Sequence, residues 1–228
     1  MTKMAEKETK NALVKQDKKK PERTREQETR GFHLVYNICW LPYHLLYPMR
    51  TLHRDRIPDG PFIACPNHSS LLDPPMAAFA LTKKHPVRIM AKKSLLEIPV
   101  IGWFMENGGV IGVDRGNADI NAVKRSLKVL KDGYPLMIFP EGTRVKVAGQ
   151  RGEPHTGAVM MAMKTGVPLL PMYIPQGKKP LRRSTLVIGE PYTIAPAGKR
   201  ATNAELESAA AELLERIYAL EPESKSRK

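Results

Sequence analysis

The chain holds two cysteines, Cys39 and Cys65, among 228 residues, and no C-x-x-C pair. A disulfide framework therefore cannot hold it, and the fold must rest on a hydrophobic core, for which a 42% hydrophobic content suffices. Zinc-binding patterns are missing as well. Cys65 and His68 have a ligand-like gap, but no H-E-x-x-H and no second Cys/His pair supplies the further ligands, so no metal is expected. The chain opens without the compact apolar core of a cleavable signal peptide, which together with the sparse cysteines points to a reducing, cytoplasmic setting. Acidic residues are in deficit: 23 Asp and Glu face 37 Lys and Arg, a formal net charge of +14. That field attracts phosphate-bearing partners, whether nucleic acid, anionic lipid or a small phosphorylated substrate. Zinc-finger spacing, an RNA-binding signature and a clear helix-turn-helix are all lacking, which sets nucleic acid aside. The G-x-S-x-G elbow of a serine hydrolase is lacking too.

What is present divides into three parts. Residues 1–30 are dominated by Lys, Glu, Gln, Thr and Arg, including Lys18-Lys19-Lys20, and read as a disordered basic arm that cannot bury enough surface to offset its ordering entropy. Residues 31–58 contain a stretch without formal charge, Phe32 to Met49, just long enough for a spanning helix to be considered. His33, Asn37 and His44 are polar, and Tyr36, Trp40, Tyr43 and Tyr47 are spread along it instead of sitting at two ends. Pro42 interrupts it, which predicts two short helical pieces. The pattern suits an amphipathic segment docked in a membrane interface; packing on the core and full spanning are the other readings open. Residues 59–228 form the third part, an α/β domain.

In that domain the runs "PFIAC", "VRIMA", "VIGVD", "PLMIF", "PLLPMYI" and "TLVIG" read as strands. Helical stretches fall between them, at Pro74 to about Lys83, Ser94 to about Glu106, Asn117 to Lys131 and Thr156 to Lys164. The alternation predicts a largely parallel mixed sheet flanked by helices, preceded by the N-terminal interfacial helical segment. Thr202 with Glu205 matches a capping box, and Leu206, Ala210, Leu213, Leu214 and Ile217 give the C-terminal helix an apolar stripe.

The sharpest local signal is "NHSSLLDPP", in which four residues separate His68 from Asp73 directly after a predicted strand. Reactive groups in α/β folds are presented beyond the carboxyl ends of strands. Pro74 and Pro75 predict a helix start here, with Asp73 as its N-cap. The loop can then bring the carboxylate to the imidazole, fix its tautomer and leave the other nitrogen to take a proton from an alcohol. A plain cap and an ordinary loop histidine are the alternatives, and Ser69 and Ser70 read as turn formers. The second signal is "FPEGTR" at the end of "PLMIF", which sets Glu141 and Arg144 on a loop above the sheet. Gly142 permits close backbone approach, and Arg144 offers a planar fork suited to phosphate oxygens.

These motifs resemble the glycerolipid acyltransferase family. The likeness runs in order through "NHSSLLD", "GGVIGVDR", "FPEGTR" and "VPLLPMYI", across roughly residues 60 to 175. The resemblance implies transfer of a fatty acyl group from acyl-CoA or acyl carrier protein, as co-substrate with no bound cofactor, to the free hydroxyl of a lysophospholipid phosphate. It casts His68 as general base, Asp73 as its orienting carboxylate, Arg115 and Arg144 as contacts to acceptor phosphate, and Glu141, with Gly142 and Thr143, as organisers of the acceptor. Lys92, in "MAKKSL", matches the family lysine that reaches the phosphate. The chain departs from the family pattern at Gly112, where a bulky residue is usual, and at Ser94, where an acidic one is. The implied setting is the cytoplasmic face of an anionic membrane. A non-catalytic lipid-binding protein on the same fold is the rival reading.

Overall fold

The computed structural model of the chain describes residues 24–114, 119–147 and 149–222. Among these residues seven strands are present: β1 (Met49–Leu52), β2 (Ile63–Pro66), β3 (Arg88–Lys92), β4 (Ile111–Val113), β5 (Leu136–Met137), β6 (Leu169–Tyr173) and β7 (Ser184–Ile188). They form one sheet in the order β1-β7-β6-β2-β5-β3-β4. All neighbours are parallel except β6 and β7, which makes the sheet mixed. Every residue of β2 and β6 is buried, as expected of central strands covered on both faces.

Among the described residues six α-helices accompany the sheet: α1 (Arg25–Leu46), α2 (Asp73–Leu81), α3 (Pro99–Asn107), α4 (Ile120–Lys131), α5 (Gly157–Thr165) and α6 (Asn203–Tyr218). Alternate residues of the central strands β2, β5 and β3 feed two cores, to which β6 also contributes on both faces. Ala64, Leu170 and Met172 pack with Phe32, Tyr43, Met76 and Phe79 of α1 and α2. Ile63, Cys65, Leu169 and Tyr173 pack on the other face with Leu130, Met161, Leu213 and Ile217 of α4, α5 and α6. Cys65 is thus a core residue, with burial pushing its thiol up. The predicted capping box of α6 forms in both directions between Thr202 and Glu205.

The N-terminal segment corrects three expectations. Residues 1–23 lie outside the description, but the span assigned to the basic arm becomes helical from Arg25, because Thr24 and Gln27 make a reciprocal capping box that the composition of the region concealed. Pro42 does not divide the segment: α1 is continuous through it. The bond proline forfeits is the one to the carbonyl of Ile38, a residue 46% exposed, so water can take its place, while Tyr43 docks on Phe79 with ring centroids 5.1 Å apart. Residues 31–58 also hold β1, which among the described residues pairs with β7 far along the chain. Nothing in "MRTL" alternates, so the strand exists through long-range pairing.

Two helix starts also differ from expectation. Residues Lys93–Leu95 form a short 3-10 turn, and α3 begins only at Pro99, since proline favours the first helical position and pushes Ile98 into extended backbone. The stretch predicted from Asn117 becomes α4 at Ile120, capped by Asp119 onto the Ala122 N–H at 2.8 Å; Asn117 itself is outside the described residues. Among the described residues no helix is long and apolar enough to cross a membrane.

Candidate active site

Strand β2 ends at Pro66, and the chain leaves the sheet through Asn67, whose amide both donates to the Ile174 carbonyl and accepts from the Ile174 N–H. This buried clamp fixes the start of the next loop against the end of β6. His68 follows, and its Nδ1 lies 3.0 Å from Oδ2 of Asp73. The N–H groups of Ser69 and Ser70 donate to the same oxygen, each at 2.6 Å. Asp73 is therefore not the N-cap of α2; it is the first helical residue, fully buried, with Leu72 before it. Its carboxylate turns back over the loop because the loop's own donors, and not the first helical N–H groups, converge on it. Ser69 and Ser70 act as turn residues, as their position suggested.

The other oxygen of Asp73, Oδ1, accepts from Nζ of Lys178, a side chain only 2% exposed. Burial opposes ionisation of Asp73, yet the His68 hydrogen bond, the Lys178 charge and hydrogen bond, and the Ser69 N–H outweigh it and hold the carboxyl below its usual value. An ionised Asp73 can only accept, so Nδ1 of His68 carries a proton, and in the neutral ring Nε2 then keeps its lone pair. The imidazole lies over the Phe139 ring, with centroids 4.1 Å apart at 30°, which restricts its swing.

Glu141 lies below this loop and is 2% exposed. Its Oε2 accepts the His68 N–H, and its Oε1 accepts the Gly152 N–H at 2.9 Å and the Tyr218 hydroxyl at 2.6 Å. The carboxylate thus ties together three segments, and it faces inward. Burial and then the Glu141 carboxylate push the Tyr218 phenol up, keeping it a donor. Gly142 adopts φ +63°, and a Cβ there would meet the His155 ring at 2.5 Å, so glycine is required both for backbone and for space. The turn continues through Thr143, whose N–H donates to the Glu141 carbonyl, to exposed Arg144. Val145 N–H returns to the His68 carbonyl at 2.8 Å, which places Arg144 beside the imidazole loop.

A cavity of about 650 Å³ opens next to His68. Phe32, Val35, Tyr36 and Cys39 of α1, Ala78 and Phe79 of α2, Ile89 and Met90 of β3, and Ile101, Phe104 and Met105 of α3 make its walls apolar. Exposed Lys92, Ser94 and Arg144 border it with His68, so two cations stand where the apolar wall gives way to solvent. Gly112 of β4 lies against the turn that follows Lys92, where a Cβ would meet the Leu96 side chain at 2.6 Å and the Lys93 Cα at 3.4 Å. The structure therefore brings His68, Asp73, Glu141, Gly142, Thr143 and Arg144 into one loop cluster, with Lys92 across the cavity. Arg115 lies outside the described residues.

Lys178, Tyr218 and Asn67 were not singled out by the sequence. Lys178 follows Gly177, whose φ of +64° turns the chain, but nothing local distinguishes it from Lys179. Tyr218 left a faint signal, since it stands four residues after Leu214 on the apolar stripe of α6, and a buried tyrosine hydroxyl needs a partner.

Fold and site together define a class: an α/β protein with a histidine–carboxylate pair set at a strand end beside an apolar cavity bordered by Lys92 and Arg144. The chain belongs to the Acyltransferase family, whose profile matches residues 49–175. The 1-acyl-sn-glycerol-3-phosphate acyltransferase of Bacillus subtilis is 28% identical to it over 197 residues, covering 82% of this chain and 97% of that protein. A chloroplastic 1-acyl-sn-glycerol-3-phosphate acyltransferase of Arabidopsis thaliana is 34% identical over 149 residues, 63% of this chain and 41% of its own length. Across the plant and algal relatives, the chain spans about half of their length or less. The crystal structure of the 1-acyl-sn-glycerophosphate acyltransferase of Thermotoga maritima is similar with a TM-score of 0.63 at 25% identity, over 88% of this chain and 83% of that one.

Proposed function

We propose that the protein transfers a fatty acyl group from a thioester donor, acyl-CoA or acyl carrier protein, to the free hydroxyl of lysophosphatidic acid, giving phosphatidic acid. The observation that carries the reading is the His68–Asp73 pair opening onto an apolar cavity edged by Arg144 and Lys92. An acyl chain is apolar, an acceptor phosphate is anionic, and the base must lie where the two meet. Nε2 of His68 takes the hydroxyl proton as the oxygen attacks the thioester carbonyl; when the carbon–sulfur bond breaks, the imidazolium protonates the departing thiolate. Asp73 stabilises the imidazolium, and Arg144 and Lys92 hold the phosphate so that part of the barrier is met by positioning. By family likeness Arg115 joins them.

The acceptor lives in a bilayer, and the same reading places the protein on the cytoplasmic face of an anionic membrane, docked through α1. Leu34, Ile38, Trp40, Leu41, Leu45 and Leu46 are exposed on that helix, while Phe32 and Tyr43 bind it to the core. Val100, Ile101 and Trp103 extend the apolar surface along α3, on the other side of the cavity. The test is mass spectrometry of products from a matrix of lysophospholipid acceptors and both donor types, with His68→Ala as control. Acceptor-dependent product lost in the folded His68→Ala protein supports acyl transfer. Binding of lysolipid without turnover under every donor points instead to a non-catalytic lipid-binding protein.

A further inference from the structure

We propose that Lys178 is a positioning residue for the His68–Asp73 pair, its ammonium anchoring one carboxylate oxygen so that the other is presented to the imidazole. The inference rests on the proposed acyl transfer for its kinetic consequence, though not for its geometric one. Asp73 has two oxygens with separate duties. Oδ2 takes His68 Nδ1 and the Ser69 and Ser70 N–H groups, while Oδ1 takes Lys178 alone among the described residues. A carboxylate rotates readily about its last bond, and three donors on one oxygen do not by themselves fix the plane of the other. The ammonium does, because it is itself held: Nζ also donates to the Pro175 carbonyl at 2.9 Å, and the side chain is 2% exposed.

The placement follows from the fold. Strand β6 is parallel to β2 and adjacent to it, so the segments leaving the two strands emerge at the same end of the sheet. Asn67 and Ile174 lock these exits together, and Gly177 then turns the chain so that Lys178 points back under the His68 loop. A buried lysine with a single carboxylate partner gives poor stability for its desolvation, which argues for a role beyond cohesion.

The electrostatic role has a definite sign. Facing Asp73 are His68, Lys178 and the Tyr43 phenol from α1; facing His68 are Asp73, Glu141 beneath its backbone N–H, and the Arg144 and Lys92 cations bordering the same cavity. Lys178 offsets part of the negative charge that Asp73 presents to the imidazole. Its removal leaves that charge uncompensated, so the imidazole binds its proton more tightly while losing its fixed orientation.

The experiment is an NMR titration of the His68 ring, assigned by comparison with His68→Gln, in the wild-type protein and in Lys178→Met and Lys178→Arg. In Lys178→Met the imidazole titration is expected to move up by about half a unit or more. Lys178→Arg keeps the cation and is expected to titrate close to wild type. Lys178→Gln, smaller and still a donor, serves if methionine at this buried position prevents folding. Turnover measured alongside is expected to fall about tenfold or more in kcat for the neutral variants, with KM for acceptor and donor little changed, and to recover in part with arginine. A folded neutral variant with an unshifted imidazole titration overturns the proposal. The titration needs no turnover, so a wild-type protein that transfers no acyl group would refute the proposed function while leaving the Lys178 question decided by the ring.

Discussion

Asp73→Asn separates a catalytic carboxylate from a mere helix-start residue, because the two roles predict opposite outcomes. Asn is as good a cap as Asp, so capping alone makes the substitution nearly silent. The geometry predicts otherwise. Oδ2 is faced by three donors and Oδ1 by an ammonium, while an amide has one acceptor oxygen and one NH₂ group. With the amide oxygen toward the loop, the NH₂ meets the Lys178 ammonium; turned round, it meets Ser69 and Ser70 N–H and can bond His68 only in the opposite tautomer. Either orientation leaves a buried donor unsatisfied and a buried lysine without its counter-charge, which costs about 3–5 kcal/mol. Wrong-tautomer histidine in an analogous carboxylate–imidazole pair lowers kcat by about 10⁴, and a loss of about 10³ or more is expected here. The assays are urea unfolding and turnover with a soluble short-chain acceptor. The depressed Asp73 value adds a sign: its stabilisation is present above the ordinary carboxylate range near ~4 and is lost as pH falls through the lower folded value, so the Asn variant should lack that part of the acid-side decline. Turnover within about fivefold of wild type in a folded Asn variant would refute the orienting role.

Arg144→Lys should raise the acceptor KM by about tenfold with little change for the donor, since lysine keeps the charge and loses the fork; an equal effect on a phosphate-free acceptor would show that Arg144 does not read phosphate. Replacing Trp40 and Leu41, 42% and 57% exposed, with Asp should release the protein from anionic vesicles in flotation while its thermal unfolding stays near wild type, and should depress turnover on bilayer acceptor more than on soluble acceptor. Tyr218→Phe should lower stability by about 1–2 kcal/mol through the bond lost to buried Glu141, read from urea midpoints; an unchanged midpoint would show that the carboxylate does not need the phenol.

The sequence by itself determined the alternation of strands and helices, because buried parallel strands are written as short continuous apolar runs and helical stretches separate most of them. It also determined which residues meet at the exit of β2. His68 and Asp73 are close in sequence, and a proline-started helix leaves their loop little room to place them apart. The capping box of α6 was equally legible, being a contact three residues long. What only the tertiary structure decided are the contacts whose partners are distant along the chain. β1 exists because β7 lies beside it, α1 runs through Pro42 because its inner face is held by Phe79, and Lys178 and Tyr218 acquire their roles from strand and helix exits that converge under one loop. Local chemistry sets what a short segment prefers. A lysine or tyrosine far along the chain reaches a particular carboxylate only once the sheet order has brought the two together, and no spacing in the sequence records that order.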